Sequence, residues 1–102
     1  MRHPLHVAFF WHMHQPDYSD PRTGEYALPW VRLHAAKDYL RMAELQAQYP
    51  KVHSTVNFVP SLLSQIQAYA EGSAQDRALT VSAQTVWTRE DKEYILSFFF
   101  SV

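Results

Sequence analysis

Two strand-like segments alternate with helix-like ones, and this order restricts the fold of the chain more than any other feature. Residues 5–13, LHVAFFWHM, are rich in Val, Phe and Trp, which predicts a strand that is mostly buried on both faces. Residues 52–59, VHSTVNFV, alternate and are β-branched, which predicts a second strand. Strands separated by helices usually run parallel and are joined by right-handed crossovers. The predicted fold class is therefore α/β.

Three segments have a helix-favouring composition, namely residues 30–48, 60–71 and 89–99. The second has apolar residues at helical spacing and predicts a buried stripe of Leu62, Leu63, Ile66 and Ala70. The third follows Thr88, and Asp91 three positions later completes a capping-box pattern. We expect loops over residues 15–29 and 73–87, the latter with a single helical turn.

Two strands are too few for a stable sheet. The sequence also stops on FFFSV, directly after an apolar helix, where a third strand would be expected. We therefore expect residues 1–102 to be an incomplete segment, the opening third or less of a larger α/β barrel. An unfinished barrel edge predicts self-association.

Charge and composition argue against several classes of partner. The chain has 9 basic and 10 acidic side chains without a basic stripe, so nucleic acid and anionic membranes are not expected partners. Cysteine is absent, so there is neither a disulfide framework nor a thiolate metal cluster. No apolar run approaches the roughly 20 residues that span a bilayer. The first residues lack a signal-peptide pattern, and we expect a cytoplasmic protein.

Polar side chains follow both predicted strands at the end where parallel α/β sheets bind ligands. Alternation along the first strand places His12 and His14 on one face. A His-x-His pair is suited to a transition metal, but the other ligands would have to come from elsewhere. His12 is equally compatible with a structural histidine bonded to a backbone carbonyl, whereas the strand-end position of His14 favours function.

Other candidates have two interpretations each. Asn57 either fixes a loop before Pro60 or hydrogen-bonds a hydroxyl-rich ligand. Trp30 either stacks on a sugar or packs against a barrel rim. Gln15 either contacts a ligand or only begins a turn with Pro16. His34 and Asp38 are four residues apart and are expected to meet on the helix surface, outside the catalytic machinery.

A complete hydrolytic site is not recognisable. Cleavage of a glycosidic bond normally takes two neighbouring carboxyl groups, and no acidic residue stands at the end of the second strand. Phosphate-binding glycine loops and Gly-x-Ser-x-Gly elbows are also absent from the sequence.

Several ordered motifs resemble glycoside hydrolase family 57. They are HMHQPDY after the first strand, LPW before the first helix, then LHAAKDY, and finally NFVPSLL at the end of the second strand. The resemblance is clear over about residues 5–71 and looser up to EYILSFFF.

The resemblance implies a (β/α)7 barrel that acts on α-glucans by a retaining mechanism, as an α-amylase, amylopullulanase or 4-α-glucanotransferase. The family's nucleophile, a glutamate, and its acid/base, an aspartate, lie beyond the matched stretch, so no residue is assigned as catalytic. His14, with His12, would line the subsite beside the scissile bond. Gln15, Trp30 and Asn57 are further substrate-binding candidates. The expected partner is an α-glucan oligosaccharide or polysaccharide, and neither a metal nor another cofactor is expected.

Two alternatives remain at this point. A His-x-His pair on a first barrel strand also occurs in metal-dependent hydrolases, although the motifs after Trp30 argue against that class. The other alternative is a non-catalytic truncated product, which leaves open whether the chain is an enzyme by itself.

Overall fold

The computed structural model describes residues 3–100, which form a mixed α/β structure. The elements are β1 (Phe9–Met13), α1 (Trp30–His34), a π-helical segment (Ala35–Tyr39), α2 (Leu40–Gln48), β2 (Ser54–Phe58), α3 (Pro60–Ala70), α4 (Arg77–Ala83) and α5 (Arg89–Phe99). None of the helices in the described range is long and apolar enough to cross a membrane.

The chain divides into two compact units. The first contains the residues up to Asp17 together with Trp30–Gln67. The second contains Tyr18–Pro29 and the residues from Ala68 onward. Both strands and all the candidate site residues belong to the first unit.

β1 and β2 form a parallel pair, which confirms the predicted α/β class. The register runs from Phe9 opposite Ser54 to Met13 opposite Phe58. Both strands are shorter than predicted, because the residues that precede Phe9 and Ser54 do not join the ladder. One backbone hydrogen bond, from Val59 N to Met13 O at 3.2 Å, continues beyond the paired residues.

The expectation that β1 is mostly buried on both faces is wrong. Met13 is its one buried residue, whereas Phe9 and Phe10 are 52% and 63% exposed. Within residues 3–100 the sheet has only two strands, so β1 has a paired neighbour along one edge alone. Its composition suits two-sided burial, but burial depends on what packs against the strand.

Residues 30–48 form the predicted helical stretch, with a π-helical segment in its middle. There the N–H of Leu40 donates to the carbonyl of Ala35, five residues back instead of four. One surplus residue rotates the helix face by about 100°. The side chains of α1 and α2 therefore do not continue a single stripe.

α3 has the predicted bounds to within one residue, but its buried stripe differs from the prediction. Leu62 is fully buried, whereas Leu63 and Ala70 are exposed. Gln65 takes a buried position instead, because its amide is hydrogen-bonded to backbone carbonyls.

The second predicted loop contains α4, a helix of 7 residues, where the sequence predicted a single helical turn. Asp76 caps it: one carboxylate oxygen accepts a hydrogen bond from Leu79 N at 2.8 Å. The other accepts a hydrogen bond from the Tyr69 hydroxyl at 3.0 Å, so the buried carboxylate is partnered on both sides. An aspartate directly before a short helical run is an N-cap signal.

The capping box of α5 is confirmed. Asp91 N donates to the Thr88 hydroxyl at 3.2 Å, and the Asp91 carboxylate accepts from Thr88 N at 3.0 Å. The Thr88 hydroxyl also donates to that carboxylate at 2.8 Å. These hydrogen bonds favour the ionised form and hold the pKa of Asp91 below its ordinary value of 3.8.

Asp91→Asn should therefore cost stability in a pH-dependent way. Because the folded-state pKa is lowered, the carboxylate stabilises the fold fully above its ordinary pKa of 3.8, and the contribution is lost as the pH falls through the folded value. The free energies of unfolding in urea of the parent and the variant should differ at neutral pH and converge once the pH is low enough to protonate Asp91 in the folded state. Glu93→Gln, which removes another carboxylate of α5, is the control. An Asp91→Asn difference that persists unchanged at low pH would contradict the assignment.

Candidate functional site

Two histidines stand at the carboxyl end of β1, on the same face of the sheet. His12 is the fourth residue of β1 and His14 follows its last residue. Their rings stack with centroids 5.9 Å apart and planes at 26°, as the alternation predicts. Both side chains are exposed, so both are accessible to a ligand.

Asn57 lies within β2 and not in a loop, directly opposite His12 in the parallel register. Its side-chain oxygen Oδ1 is 2.6 Å from Nδ1 of His12. Asn57 is thus bonded across the strand pair to His12. Its side chain joins the histidine pair, and together His12, His14 and Asn57 form what we call the histidine cluster.

The turn after β1 is held by two residues of α3, Ser61 and Gln65. The Ser61 hydroxyl donates to the carbonyl of Gln15 at 2.8 Å. The Gln65 amide donates to the carbonyl of Pro16 at 2.8 Å and to that of Ser61 at 2.7 Å, and Gln65 is only 2% exposed. These bonds fix Gln15 and Pro16, the two residues directly after His14, so they help to hold the histidine cluster in place.

Trp30 belongs to a group of rings on the helical stretch. Its ring lies 6.4 Å from that of His34, which in turn lies 6.3 Å from the ring of Tyr39. His34 Nδ1 and Asp38 Oδ2 are 2.6 Å apart, which confirms that these two residues meet. Gln15 connects this group to the turn after β1, because its amide donates to the Tyr39 hydroxyl at 3.4 Å.

The opposite face of the sheet is apolar. Trp11, Met13, Val56 and Phe58 line a groove of about 470 Å³ against Met42 and other residues of the helical stretch. The first unit thus has one polar sheet face, which carries the histidine cluster, and one apolar face directed at the helix.

A family model described as glycosyl hydrolase family 57 matches residues 8–101, which is nearly the whole chain. The chain belongs to glycosyl hydrolase family 57. No curated protein and no solved structure gives a significant match. The recognition of the family from its motifs is confirmed, and the parallel strand pair with its helices is consistent with part of a barrel of that family.

Membership of glycosyl hydrolase family 57 supports a glycoside hydrolase-type function with a carbohydrate as substrate. Among residues 3–100 no group of three or more His, Cys, Asp or Glu side chains is placed to hold a metal ion. The family match itself favours carbohydrate chemistry over the metal-dependent hydrolase alternative.

Sequence reasoning missed three residues that position these groups: Tyr39, Ser61 and Gln65. Tyr39 and Ser61 stand in the motifs LHAAKDY and NFVPSLL, so their place in the family pattern was a usable signal. Gln65 gave no such signal, because its partner Pro16 is 49 residues away in sequence.

Gln65→Leu should loosen the turn that follows β1. Losing the amide leaves the Pro16 carbonyl without this donor, and we expect the free energy of unfolding to fall by about 1–3 kcal/mol. The amide resonances of His14 and Gln15 should also shift. Gln48→Leu makes the same replacement at an exposed helix position and should do neither. Equal effects of the two substitutions would contradict the anchoring role of Gln65.

Proposed function

We propose that this chain forms one wall of the sugar-binding cleft of a retaining, α-glucan-active glycoside hydrolase or glucanotransferase. His14, with His12, hydrogen-bonds a glucosyl unit beside the scissile bond. The observation that carries the proposal is the histidine cluster, exposed at the carboxyl end of a parallel strand pair in a member of family 57.

The chemistry of the cluster suits a sugar. A neutral imidazole has one donor and one acceptor nitrogen, and a hydroxyl group can satisfy either. Two stacked imidazoles present such groups side by side. Gln15 and Trp30 supply an amide and an aromatic ring from the neighbouring turn and helix, and an aromatic face can pack against a sugar ring.

The catalytic carboxyl groups belong, in this proposal, to a part of the catalytic domain outside residues 1–102. Retaining glycosidases place two carboxyl groups about 5–5.5 Å apart. Near the end of the second strand the histidine cluster has Asn57, which carries an amide and not a carboxyl group. The Asp38 carboxylate is already bonded to His34. The exposed side chains of Phe9 and Phe10, which point to opposite faces of the sheet, favour further elements that cover both faces.

Three further expectations belong to the same proposal. Residues 1–102 are an incomplete N-terminal segment of the catalytic domain, and by themselves they neither hydrolyse nor transfer glucan. The open edge of the β1–β2 pair supports self-association of the isolated chain. The enzyme acts in the cytoplasm.

His14→Ala should weaken the binding of maltooligosaccharides to the chain. We expect a loss of about tenfold or more in affinity, which corresponds to about 1.4 kcal/mol, because a hydrogen-bonding partner of the sugar is removed. Titration followed by NMR suits the weak affinity of a partial site. His53→Ala, which removes an exposed histidine just before β2, is the matched control. Unchanged affinity in His14→Ala would argue against the subsite.

The purified chain should show no turnover of α-glucans. Reducing-end and transfer assays with maltooligosaccharides and starch measure this, with His14→Ala purified in parallel to reveal a contaminating amylase. Activity in the parent that the His14→Ala chain lacks would show that residues 1–102 carry their own catalytic groups, and would overturn that part of the proposal.

A further inference from the structure

His12 and Asn57 are held opposite each other by the backbone. In the parallel register their Cα atoms are partners, and both side chains lie on the polar face of the sheet. Asn57 Oδ1 lies 2.6 Å from His12 Nδ1, a short hydrogen bond. The stacked ring of His14 makes a second contact with the same imidazole.

The direction of this hydrogen bond follows from the chemistry of its two atoms. An amide oxygen has no hydrogen to give, so His12 Nδ1 must carry the proton. In a neutral imidazole the hydrogen bond at one nitrogen sets the tautomer, and the other nitrogen then has a free lone pair. His12 therefore presents Nε2 as an acceptor.

We infer that Asn57 is a positioning residue that holds neutral His12 in the Nδ1–H tautomer, so that Nε2 accepts a hydrogen bond from a sugar hydroxyl. The hydroxyl donates to Nε2, and Nδ1–H donates to Asn57 Oδ1. Asn57 thus acts on the ligand through His12. The claim that Nε2 accepts a sugar hydroxyl rests on the proposed function, whereas the assignment of the Nδ1–H tautomer rests on the geometry alone.

The tautomer can be measured directly in the ¹⁵N-labelled chain. Long-range ¹H–¹⁵N correlation spectra recorded at alkaline pH distinguish the two neutral tautomers. We expect His12 to be mainly Nδ1–H. Asn57→Asp should keep that form, because a carboxylate oxygen also only accepts, and Asn57→Leu should shift His12 towards a mixture. His53 is the internal reference.

A predominantly Nε2–H form of His12 in the parent chain would overturn the inference, and so would an Asn57→Leu spectrum in which the tautomer is unchanged. If Asn57→Leu does not fold, the parent and Asn57→Asp spectra decide the question, because both must show the Nδ1–H form.

Maltooligosaccharide titration separates this inference from the proposed function. We expect Asn57→Leu to lose about as much affinity as His12→Ala, and Asn57→Asp to retain most of it. If the parent binds maltooligosaccharides and Asn57→Leu retains that affinity in full, the claim that Nε2 accepts a sugar hydroxyl is overturned. A parent chain that binds no maltooligosaccharide would overturn both the proposed function and that claim. The ¹H–¹⁵N spectra would still test the tautomer.

Discussion

The parallel register between β1 and β2 is the constraint on which the candidate site depends. It pairs His12 with Asn57 across the ladder and places the turn after β1 beside the start of α3. A shift of one residue would move Asn57 to the opposite face of the sheet, because side chains alternate along a strand. The histidine cluster thus depends first on how the two strands pair, and only then on the chemistry of its side chains.

The start of α3 gives the turn after β1 its shape. Ser61 and Gln65 lie on successive turns of this helix. The first donates to the carbonyl of Gln15 and the second to that of Pro16, both in the turn after β1. Because Gln65 is buried, its hydrogen bonds do not compete with bulk water. The site is therefore supported by the junction between β2 and α3 as well as by its own exposed residues.

The sequence predicted what local patterns determine: the parallel α/β order, most helix bounds, and the capping box at Thr88. It also placed His12 and His14 on one face, since alternation is a local property. It did not predict the exposure of β1 or the burial of Gln65, because both depend on contacts between distant segments. The His12–Asn57 pair likewise required a register that strand patterns alone leave undetermined.

The π-helical segment at Ala35–Tyr39 has a consequence for how this chain can vary in length. Removing one residue there would restore regular helical phase, but it would rotate Trp30 and His34 by about 100° relative to everything after Tyr39. The ring contact between His34 and Tyr39 would be broken, although both side chains were still present. This part of the helix should therefore tolerate substitutions far better than a deletion, and in alignments its length carries as much information as its composition.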